Sequence, residues 1–500
     1  MINKRIFNML GYVLLFLGVS MIFSAVWSYI DNSDDLTSIL NASLITSISG
    51  LFLIITTQIQ FLKISPYITI KDTDRVDLSH KDGYTLVTFS WVMMTIFGSL
   101  PFYFYGGPFE NYIDAFFESI SGLTTTGATI LAFEDYSNIP RGLMFWRSFI
   151  QFIGGIGIIV FSIAILPLMG FGGVQLFRAE VAGPVADKLT PRVKQTATLL
   201  WTIYFGLIII QTIVLMIEGL TFYDSITHSF TTIATAGFST NPNSIGAYQP
   251  IVQYTIILFM LIAASSFSLH YLAIRRGEVE YFKDREFKVY VSLLLLFFSI
   301  FFIDNYSKYL FREGIFEEGL RNSLFTATSL LTTTGFTNID YETWGYTSQT
   351  MIFILFFIGG CAGSTTGAIK IIRTIVVFKF LLRELKKLLH PKGVFNIKIG
   401  SKKIPEEVVS NTLGFYLFYI FIFVFAAFIF ACLGLDFTSS LSVSASAIGN
   451  IGPGLGEIGP SQNWQNIGTP AKLLASFLML LGRLEIFTVM LIFSGGFSKK

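Results

Sequence analysis

Four segments of the chain repeat one short pattern. They read YIDAFFESISGLTTTGAT (112–129), FYDSITHSFTTIATAGFST (222–240), IFEEGLRNSLFTATSLLTTTGFT (315–337) and LDFTSSLSVSASAIGNIGPG (435–454). In each segment a short apolar stretch is followed by small, hydroxyl-rich residues and a glycine. The four glycines recur at intervals of 110, 98 and 117 residues: Gly127, Gly237, Gly335 and Gly452. This spacing predicts four parallel units of a helix, a half-length helix, a loop and a second helix, arranged as a ring.

The composition of the chain is that of a membrane protein. Hydrophobic residues make up 53% of the 500 residues, charged residues only 13%, and the mean hydropathy is +0.65. Soluble domains average about 45–50% apolar and about 25% charged residues. The net charge of +2 and the lack of a basic stripe argue against a nucleic-acid partner. The two cysteines, Cys361 and Cys432, both lie in apolar context, which excludes a disulfide framework or a cysteine zinc site.

The hydropathy pattern predicts ten spanning helices, each long enough to cross a bilayer, which takes about 20 residues. They lie at about 6–30, 38–61, 84–105, 143–169, 196–217, 250–274, 287–304, 348–389, 408–432 and 471–495. With the amino terminus inside, 27 of the 34 Lys and Arg residues fall in cytoplasmic segments. Because positive residues in short loops stay in the cytoplasm, both termini are expected there.

The predicted fold class is an all-α polytopic membrane protein. Two peripheral N-terminal helices precede four helix–pore-loop–helix repeats around a pseudo-fourfold pore. The corresponding boundaries are a peripheral domain at 1–70 and pore repeats at 71–195, 196–285, 286–403 and 404–500.

The hydroxyl-rich strips are predicted to line an aqueous path. A segment that re-enters the membrane leaves backbone groups without helical partners, which is tolerated only where protein or water satisfies them. Small side chains and a glycine allow carbonyl oxygens to turn toward a common axis, where they would replace the water shell of an alkali cation. The alternative is that each strip is a small-residue packing seam between helices. Recurrence at a near-constant interval favours the filter.

The eighth predicted helix is broken by GGCAGSTTG at 359–367. Unwound backbone in mid-membrane is costly unless it lines a cavity, so we interpret this stretch as an intramembrane gate loop below the third strip. Its residues are Gly359, Gly360, Cys361, Ala362, Gly363, Ser364, Thr365, Thr366 and Gly367. The alternative is a glycine-facilitated kink with close helix packing.

Arg483 lies within the last predicted helix, two residues before Glu485. A charge near the bilayer centre costs about 2.5–3.5 kcal/mol on the insertion scale, so it normally faces a cavity or a partner. We expect Arg483 to face the pore under the filter and to hydrogen-bond the gate loop in the closed state. The alternative is a structural ion pair with a carboxylate between helices.

These motifs resemble the TrkH/KtrB/HKT superfamily of potassium transporters, and within it the bacterial TrkH branch. TTTGA (124–128), ATAGF (234–238), TTTGF (332–336) and GNIGP (449–453) are similar to the four filter sequences of the family. GGCAGSTTGAIKIIR (359–373) is similar to its gate loop. The stretch 170–197, the ending GRLEIFT (482–488) and the two extra N-terminal helices also resemble the TrkH branch, so the resemblance covers nearly the whole chain.

The resemblance implies that potassium is the substrate, held by carbonyls at or just before the filter glycines, with no cofactor. The filter residues that it indicates are Thr125, Thr126, Gly127, Thr235, Ala236, Gly237, Thr333, Thr334, Gly335, Asn450, Ile451 and Gly452. In some plant members a serine at the first of these glycine positions accompanies sodium preference, so Gly127 favours potassium. Gating is implied for 359–367, with an arginine at the position of Arg483 near the gate.

Partners and location are also implied by the resemblance. It indicates a homodimer in the lipid bilayer of the inner cell membrane, controlled by a cytosolic TrkA-type nucleotide-binding regulatory subunit. No GxGxxG motif follows a strand in this sequence, so the nucleotide site is expected on that separate chain. The basic stretch 370–403 is either a docking surface for this subunit or a solvated anchor.

Two other functions fit parts of the sequence. A cation-coupled (sodium or proton) potassium symporter or a sodium-permeable transporter could use the same scaffold, but secondary transporters are often built on inverted repeats, whereas these repeats run parallel. An intramembrane enzyme would need titratable residues to converge. The four histidines are scattered along the chain: His80, His228, His270 and His390. The sequence has no HExxH motif and no nucleophile elbow, so we expect no enzymatic activity.

Overall fold

The computed structural model describes residues 4–63, 80–164, 193–310, 315–400 and 402–493. Within these ranges the protein is helical, apart from one antiparallel pair of two-residue strands, β1 (Lys398–Ile399) and β2 (Lys402–Lys403). Predictions about segment 170–195, about most of the loop 62–83 and about the two termini fall outside the described residues.

Two long helices at the N-terminus pack against each other at the edge of the molecule. They are α1 (Lys4–Asp31) and α2 (Asp35–Lys63). Their contact is close, because a Cβ atom added to Gly11 would lie 2.8 Å from the carbonyl oxygen of Gly50. Small residues at such a seam let two membrane helices approach closely. The outward faces carry exposed aromatic and aliphatic side chains, so the pair is peripheral, as predicted.

Four repeats follow, each with a pore helix between flanking helices. The first contains α3 (His80–Gly98), α4 (Leu100–Tyr105), the pore helix α5 (Tyr112–Leu123), α6 (Asp135–Asn138) and α7 (Arg141–Ala164). The second contains α8 (Val193–Ile217), the pore helix α9 (Phe222–Ile233), α10 (Pro250–Ala263), α11 (Phe267–Arg276) and α12 (Val279–Lys283). The third contains α13 (Arg285–Leu310), the pore helix α14 (Ile315–Leu331), α15 (Tyr346–Leu355) and α16 (Ile371–Leu389). The fourth contains α17 (Glu406–Cys432), the pore helix α18 (Phe437–Gly449), α19 (Thr469–Arg483) and α20 (Phe487–Phe493). The predicted fold class is confirmed.

Within the described ranges, fewer helices are long and apolar enough to cross a membrane unbroken than the ten that the hydropathy pattern predicts. Among the described residues, six are long and apolar enough to do so: Ile6–Asp31, Asp35–Gln58, Gly83–Tyr105, Ala197–Ile217, Arg285–Tyr306 and Glu406–Cys432. The predicted span 84–105 meets this test although a turn at Ser99 separates α3 from α4. The predicted span 471–495 is divided at 484–486, between α19 and α20. For the predicted span 143–169, the described helix ends at Ala164.

The prediction of one continuous helix over 250–274 is wrong. The chain leaves the helix after Ala263, turns by 94° and becomes helical again at Phe267. Hydrogen bonds from another repeat satisfy the peptide groups that this break frees. The carbonyl of Ala264 accepts from the N–H of Cys361 (2.9 Å), and the N–H of Phe267 donates to the carbonyl of Gly363 (3.1 Å). The break is therefore stabilised by a distant segment of the chain. The local sequence contains no proline or glycine that would predict it.

The eighth predicted helix is interrupted, as its glycine-rich motif indicates, but over a longer stretch. Its first part, α15, ends at Leu355 and its second part, α16, begins at Ile371. Residues 356–370 therefore leave the helix, and within them Ile358 and Ile369 form an isolated parallel bridge. This bridge brings the two ends of the motif together, so 359–367 forms a closed loop.

Candidate functional site

The four pore helices end in the same backbone geometry. In each, the residue after the last turn is not glycine and yet has a positive φ of 50–53°: Thr125, Thr235, Thr333 and Asn450. The N–H of the following residue donates to the carbonyl five residues earlier, at 2.9–3.1 Å in all four repeats. This bond and the left-handed residue form a Schellman-type helix end. Because a β-branched residue rarely adopts positive φ, its presence at three equivalent positions indicates a functional constraint on the backbone.

Two residues further along, each strip reaches its glycine. The four glycines also have positive φ, between 77° and 99°: Gly127, Gly237, Gly335 and Gly452. A Cβ atom added to any of them would lie within 3.0 Å of a carbonyl oxygen on the next strip. Taken in chain order, these oxygens belong to Ala236, Thr334, Ile451 and Thr126. The fourth strip therefore returns to the first, and the strips form a closed ring in which only glycine fits.

A single cavity of about 410 Å³ touches all four glycines. Its other walls come from the loops that follow each strip, including Asn241, Asn338, Asp340 and Gln462. The strips therefore share one polar space rather than four separate packing surfaces. Four separate packing seams between helices would not share one cavity in this way.

Acidic side chains lie at the outer loops around this cavity. Asp340 lines the cavity, and its Oδ1 accepts the N–H of Glu342 (3.0 Å). The Glu342 carboxylate accepts the N–H of Gly456, a link between the third and fourth repeats. Burial raises the pKa of Glu342, while this N–H acts in the opposite direction. Asp340 is thus an acidic side chain in the lining of the cavity, which also includes the basic side chain of Arg147.

The strips are braced from behind by side chains that sequence reasoning missed. In three repeats a serine hydroxyl six residues before the glycine donates to a carbonyl of its own strip, at 2.6–3.0 Å: Ser121, Ser329 and Ser446. The second strip is held by Gln151 instead. Its Nε2 donates to the carbonyl of Ala236 (2.8 Å), and its Oε1 accepts the N–H of Phe238 (3.2 Å). The N–H of Phe238 can only donate, so the orientation of the amide is fixed.

Trp464 joins the fourth strip to the first. Its indole N–H donates to the carbonyl of Gly452 (3.1 Å), and its backbone N–H donates to the carbonyl of Thr129 (2.8 Å). The ring lies 5.5 Å from that of Phe117 on the first pore helix. A tryptophan in an outer loop carries no recognisable motif, so no sequence signal identifies this role.

A buried ion pair supports the first two strips. Arg147 and Glu118 are almost fully buried, and Arg147 Nε lies 2.6 Å from Glu118 Oε1. The other carboxylate oxygen accepts the N–H of Ile130 (3.0 Å), and Arg147 Nη1 donates to the carbonyl of Ser239 (2.9 Å). The pair thus connects the segments that leave the first and second strips. The sequence alone assigned no role to either residue of this pair.

The loop 359–367 lies against the inner ends of three strips. The N–H of Gly367 donates to the hydroxyl of Thr333 (2.7 Å). Next to the loop, the N–H of Ala368 donates to the carbonyl of Gly449 (2.9 Å). The hydroxyl of Thr365 donates to the carbonyl of Ile233 (3.0 Å) and lies 3.2 Å from the hydroxyl of Thr235. A kink between packed helices would not engage three repeats in this way.

Arg483 binds this loop directly. Its Nη1 donates to the carbonyl of Thr365 (2.7 Å), and its Nη2 donates to the carbonyl of Gly154 (3.2 Å). Among the residues that the structure describes, none accepts a hydrogen bond from its Nε. Glu485, the carboxylate closest to it in sequence, pairs with Arg373 at 2.8 Å instead. Arg483 is therefore held by carbonyl oxygens, and in the described part of the chain no carboxylate pairs with it.

A second cation at the loop was missed. The ammonium of Lys370 donates to the hydroxyl of Thr366 (2.8 Å) and to the carbonyl of the same residue. The Thr366 hydroxyl in turn accepts the N–H of Gly360 (3.1 Å), so this lysine stabilises the folded loop. The position of Lys370 just after the motif was the only available signal.

The described histidines do not form a reaction centre. His228, on the second pore helix, is hydrogen-bonded to the hydroxyl of Ser239 (3.0 Å), and His270 is hydrogen-bonded to the hydroxyl of Tyr281 (2.6 Å). Within the described ranges, no group of three or more His, Cys, Asp or Glu residues could hold a metal ion. The ring, the shared cavity and the docked loop are instead the parts of a polytopic ion transporter.

Comparison with known proteins identifies the family. The TrkH family, described as a cation transport protein, matches residues 51–499. The chain is 39% identical over 426 residues to the Trk system potassium uptake protein TrkH of Vibrio parahaemolyticus, covering 84% of this chain and 87% of that protein. It is 37% identical over 432 residues to the protein of the same name from Escherichia coli (strain K12), covering 85% and 87%.

A solved structure agrees with this assignment. The crystal structure of the potassium transporter TrkH from Vibrio parahaemolyticus matches with a TM-score of 0.87 and 32% identity, over 100% of both chains. The chain belongs to the TrkH family of cation transport proteins. Its members are ion transporters, so this membership confirms the family resemblance and the expectation that the chain is not an enzyme.

Proposed function

We propose that this protein takes up potassium across the inner cell membrane through a filter of backbone carbonyls. The filter consists of the four strips Thr125–Gly127, Thr235–Gly237, Thr333–Gly335 and Asn450–Gly452. The observation that carries the proposal is the closed ring, in which each glycine lies against the carbonyl of the residue before the next glycine. Relatives named as Trk system potassium uptake proteins support potassium as the ion.

The chemistry of the ring suits a dehydrated monovalent cation. Carbonyl oxygens replace the water shell of such an ion, whereas an anion would require donors and a proton path would require titratable groups. The pore helices direct their carboxyl ends, which carry partial negative charge, toward the strips. Each contributes a few tenths to about 1 kcal/mol of cation stabilisation.

The loop 359–367 is proposed as the gate. Its hydrogen bonds to the inner ends of the second, third and fourth strips support a position across the ion path. Arg483 is proposed to hold the loop closed through the carbonyl of Thr365, and its charge would repel cations beneath the filter. Opening then requires the loop to give up these bonds.

Assembly and control complete the proposal. The protein would act as a homodimer in the bilayer with both termini in the cytoplasm and the repeat boundaries given above. A TrkA-type regulatory subunit would dock on the cytosolic side. The stretch 370–403 suits this contact, because the end of α16 exposes Leu385, Leu388 and Leu389 beside Lys386 and Lys387.

Flux measurements in liposomes test this function. The purified protein is reconstituted and a potassium gradient is imposed, with and without sodium and proton gradients. We expect potassium flux that follows the potassium gradient alone, and a much smaller flux when sodium replaces potassium. Flux that requires a sodium or proton gradient would instead indicate a coupled symporter, and equal sodium and potassium flux would contradict the selective filter.

A shortened gate loop provides the matched variant. Removal of residues 362–365 should raise potassium flux in the absence of any regulatory subunit. A loss of all flux in a protein that elutes and melts like the wild type would contradict the gate.

A further inference from the structure

A buried carboxylate ties together the two sides of the gate loop. Glu286 is the second residue of α13 and is only 3% exposed. Its Oε1 accepts the N–H of Ala362 (2.8 Å) and the N–H of Ile372 (3.0 Å). Ala362 lies inside the loop and Ile372 lies just after it, ten residues further along the chain. One oxygen atom therefore joins the loop to the segment that follows it.

Neither N–H group has an acceptor within its own segment among the described residues. Ile372 is in the first turn of α16, where amides have no acceptor within the helix. Glu286 supplies that acceptor from a different helix, and its negative charge suits the positive end of α16. Ala362 is in unwound backbone, so its N–H also depends on an acceptor from outside the loop. Hydrogen bonds to an ionised acceptor are roughly twice as strong as neutral ones.

The position of Glu286 connects the loop to the cytosolic surface. The short connector 277–284 joins α11 to α13 and exposes Val279 and Phe282. At one end of this connector is the last residue of α11, Arg276, and the first residue of the same helix, Phe267, donates its N–H to the carbonyl of Gly363 in the loop. At the other end is Glu286. A displacement of the connector would therefore move both elements that hold the loop.

We propose that Glu286 is a positioning residue of the gate, which holds the loop 359–367 in its docked conformation by joining Ala362 to the start of α16. This inference rests on the proposed function only for its effect on ion flux. The clamp itself concerns the conformation of the loop, so it can be tested separately.

The native thiol in the loop reports its conformation. Cys361 is buried next to Ala362, and Cys432 is the only other cysteine of the chain, so the Cys432→Ser background leaves one thiol. The rate of modification by N-ethylmaleimide is measured on the reconstituted full-length protein. We expect Glu286→Ala to raise this rate about tenfold or more, because the reaction follows the population in which the loop is undocked.

Two further variants sharpen the result. Glu286→Gln keeps an acceptor oxygen and should give a rate between those of the wild type and Glu286→Ala, as expected if the hydrogen bonds matter. Glu278→Ala removes an exposed carboxylate from the same connector and should leave the rate unchanged. If Glu286→Ala does not fold, as judged by gel filtration, Glu286→Gln and Glu286→Asp supply the measurement.

Basal potassium flux without a regulatory subunit separates the two hypotheses. Faster labelling with increased flux and unchanged potassium-over-sodium preference supports the clamp. Faster labelling with unchanged flux also supports the clamp but contradicts the assignment of the loop as the gate. Wild-type labelling in both Glu286→Ala and Glu286→Gln would overturn the clamp, whatever the flux.

Discussion

Replacement of Gly335 by alanine should damage ion selection more than stability. At this position φ is +79°, and the added Cβ would lie about 1 Å closer to the carbonyl oxygen of Ile451 than the 3.0 Å below which real contacts do not occur. The position of the Cβ is fixed by the backbone and the oxygen is itself a backbone atom, so neither can move away by rotating a side chain. The carbonyl must therefore leave its position in the ring.

Gly335→Ala would have two effects, a backbone cost at positive φ and a displaced carbonyl, and a second glycine allows them to be measured separately. A residue with a side chain held at such a positive φ costs about 1–3 kcal/mol. Gly468 has nearly the same φ, +80°, but a Cβ there would meet nothing within 4 Å. Gly468→Ala should therefore suffer only the backbone cost. Gly335→Ala should suffer that cost and also lose carbonyl coordination.

The expected magnitude follows from the displacement of the carbonyl. A shift of about 1 Å at one of four ligands should cost at least about 1.4 kcal/mol of preference for potassium, which is a factor of ten. Gly452→Ala should have a smaller effect, because its Cβ would approach the carbonyl of Thr126 only to 2.6 Å.

Competition flux in liposomes measures this preference. Uptake of radioactive rubidium is recorded against increasing sodium for the wild type, Gly335→Ala and Gly468→Ala. The prediction is a tenfold or larger loss of discrimination in Gly335→Ala alone. Unchanged discrimination in Gly335→Ala, or an equal loss in both variants, would contradict a role of the Ile451 carbonyl in ion selection.

Three further predictions concern the supports of the ring and the loop. Arg483→Ala should raise basal potassium flux several-fold because it removes the donor to the loop carbonyl, whereas poor expression with unchanged flux would point to a structural role. Gln151→Met should lower potassium-over-sodium discrimination in the competition assay, because the Gln151 amide holds the Ala236 carbonyl of the ring, while the melting temperature stays within a few degrees. Wild-type selectivity in this variant would exclude a role of Gln151 in positioning that carbonyl. Glu118→Gln should lower the free energy of unfolding by about 3–5 kcal/mol, because it removes one partner of a buried ion pair. Recovery of stability when Arg147→Met is added would support the pairing. A melting curve identical to that of the wild type would contradict it.

The sequence predicted the ring because its signal is local and repeated. The left-handed residue and the glycine of each strip occur within a few residues of each other, and each strip follows a short apolar helix. Four copies therefore indicate a common geometry even without a structure. The interruption at 359–367 was predictable for the same reason, since four glycines fall within these nine residues and interrupt an otherwise apolar run.

The features that the sequence did not reveal depend on contacts between distant segments. The break at Ala264 has no proline or glycine and is stabilised by a loop about one hundred residues away. Gln151, Trp464 and Glu286 each bond backbone groups of another repeat or loop, and each resembles an ordinary polar residue in its local sequence. Only the folded chain identifies their partners.

The central claim is that four strips coordinate one dehydrated cation on a shared axis. Crystals of the protein grown in rubidium or thallium salts test it most directly, because the anomalous signal locates the ion independently of the protein. We expect an anomalous peak inside the ring formed by the carbonyls of Thr126, Ala236, Thr334 and Ile451, in direct contact with them. Ordered ions found only in the outer cavity, with none inside the ring, would contradict it.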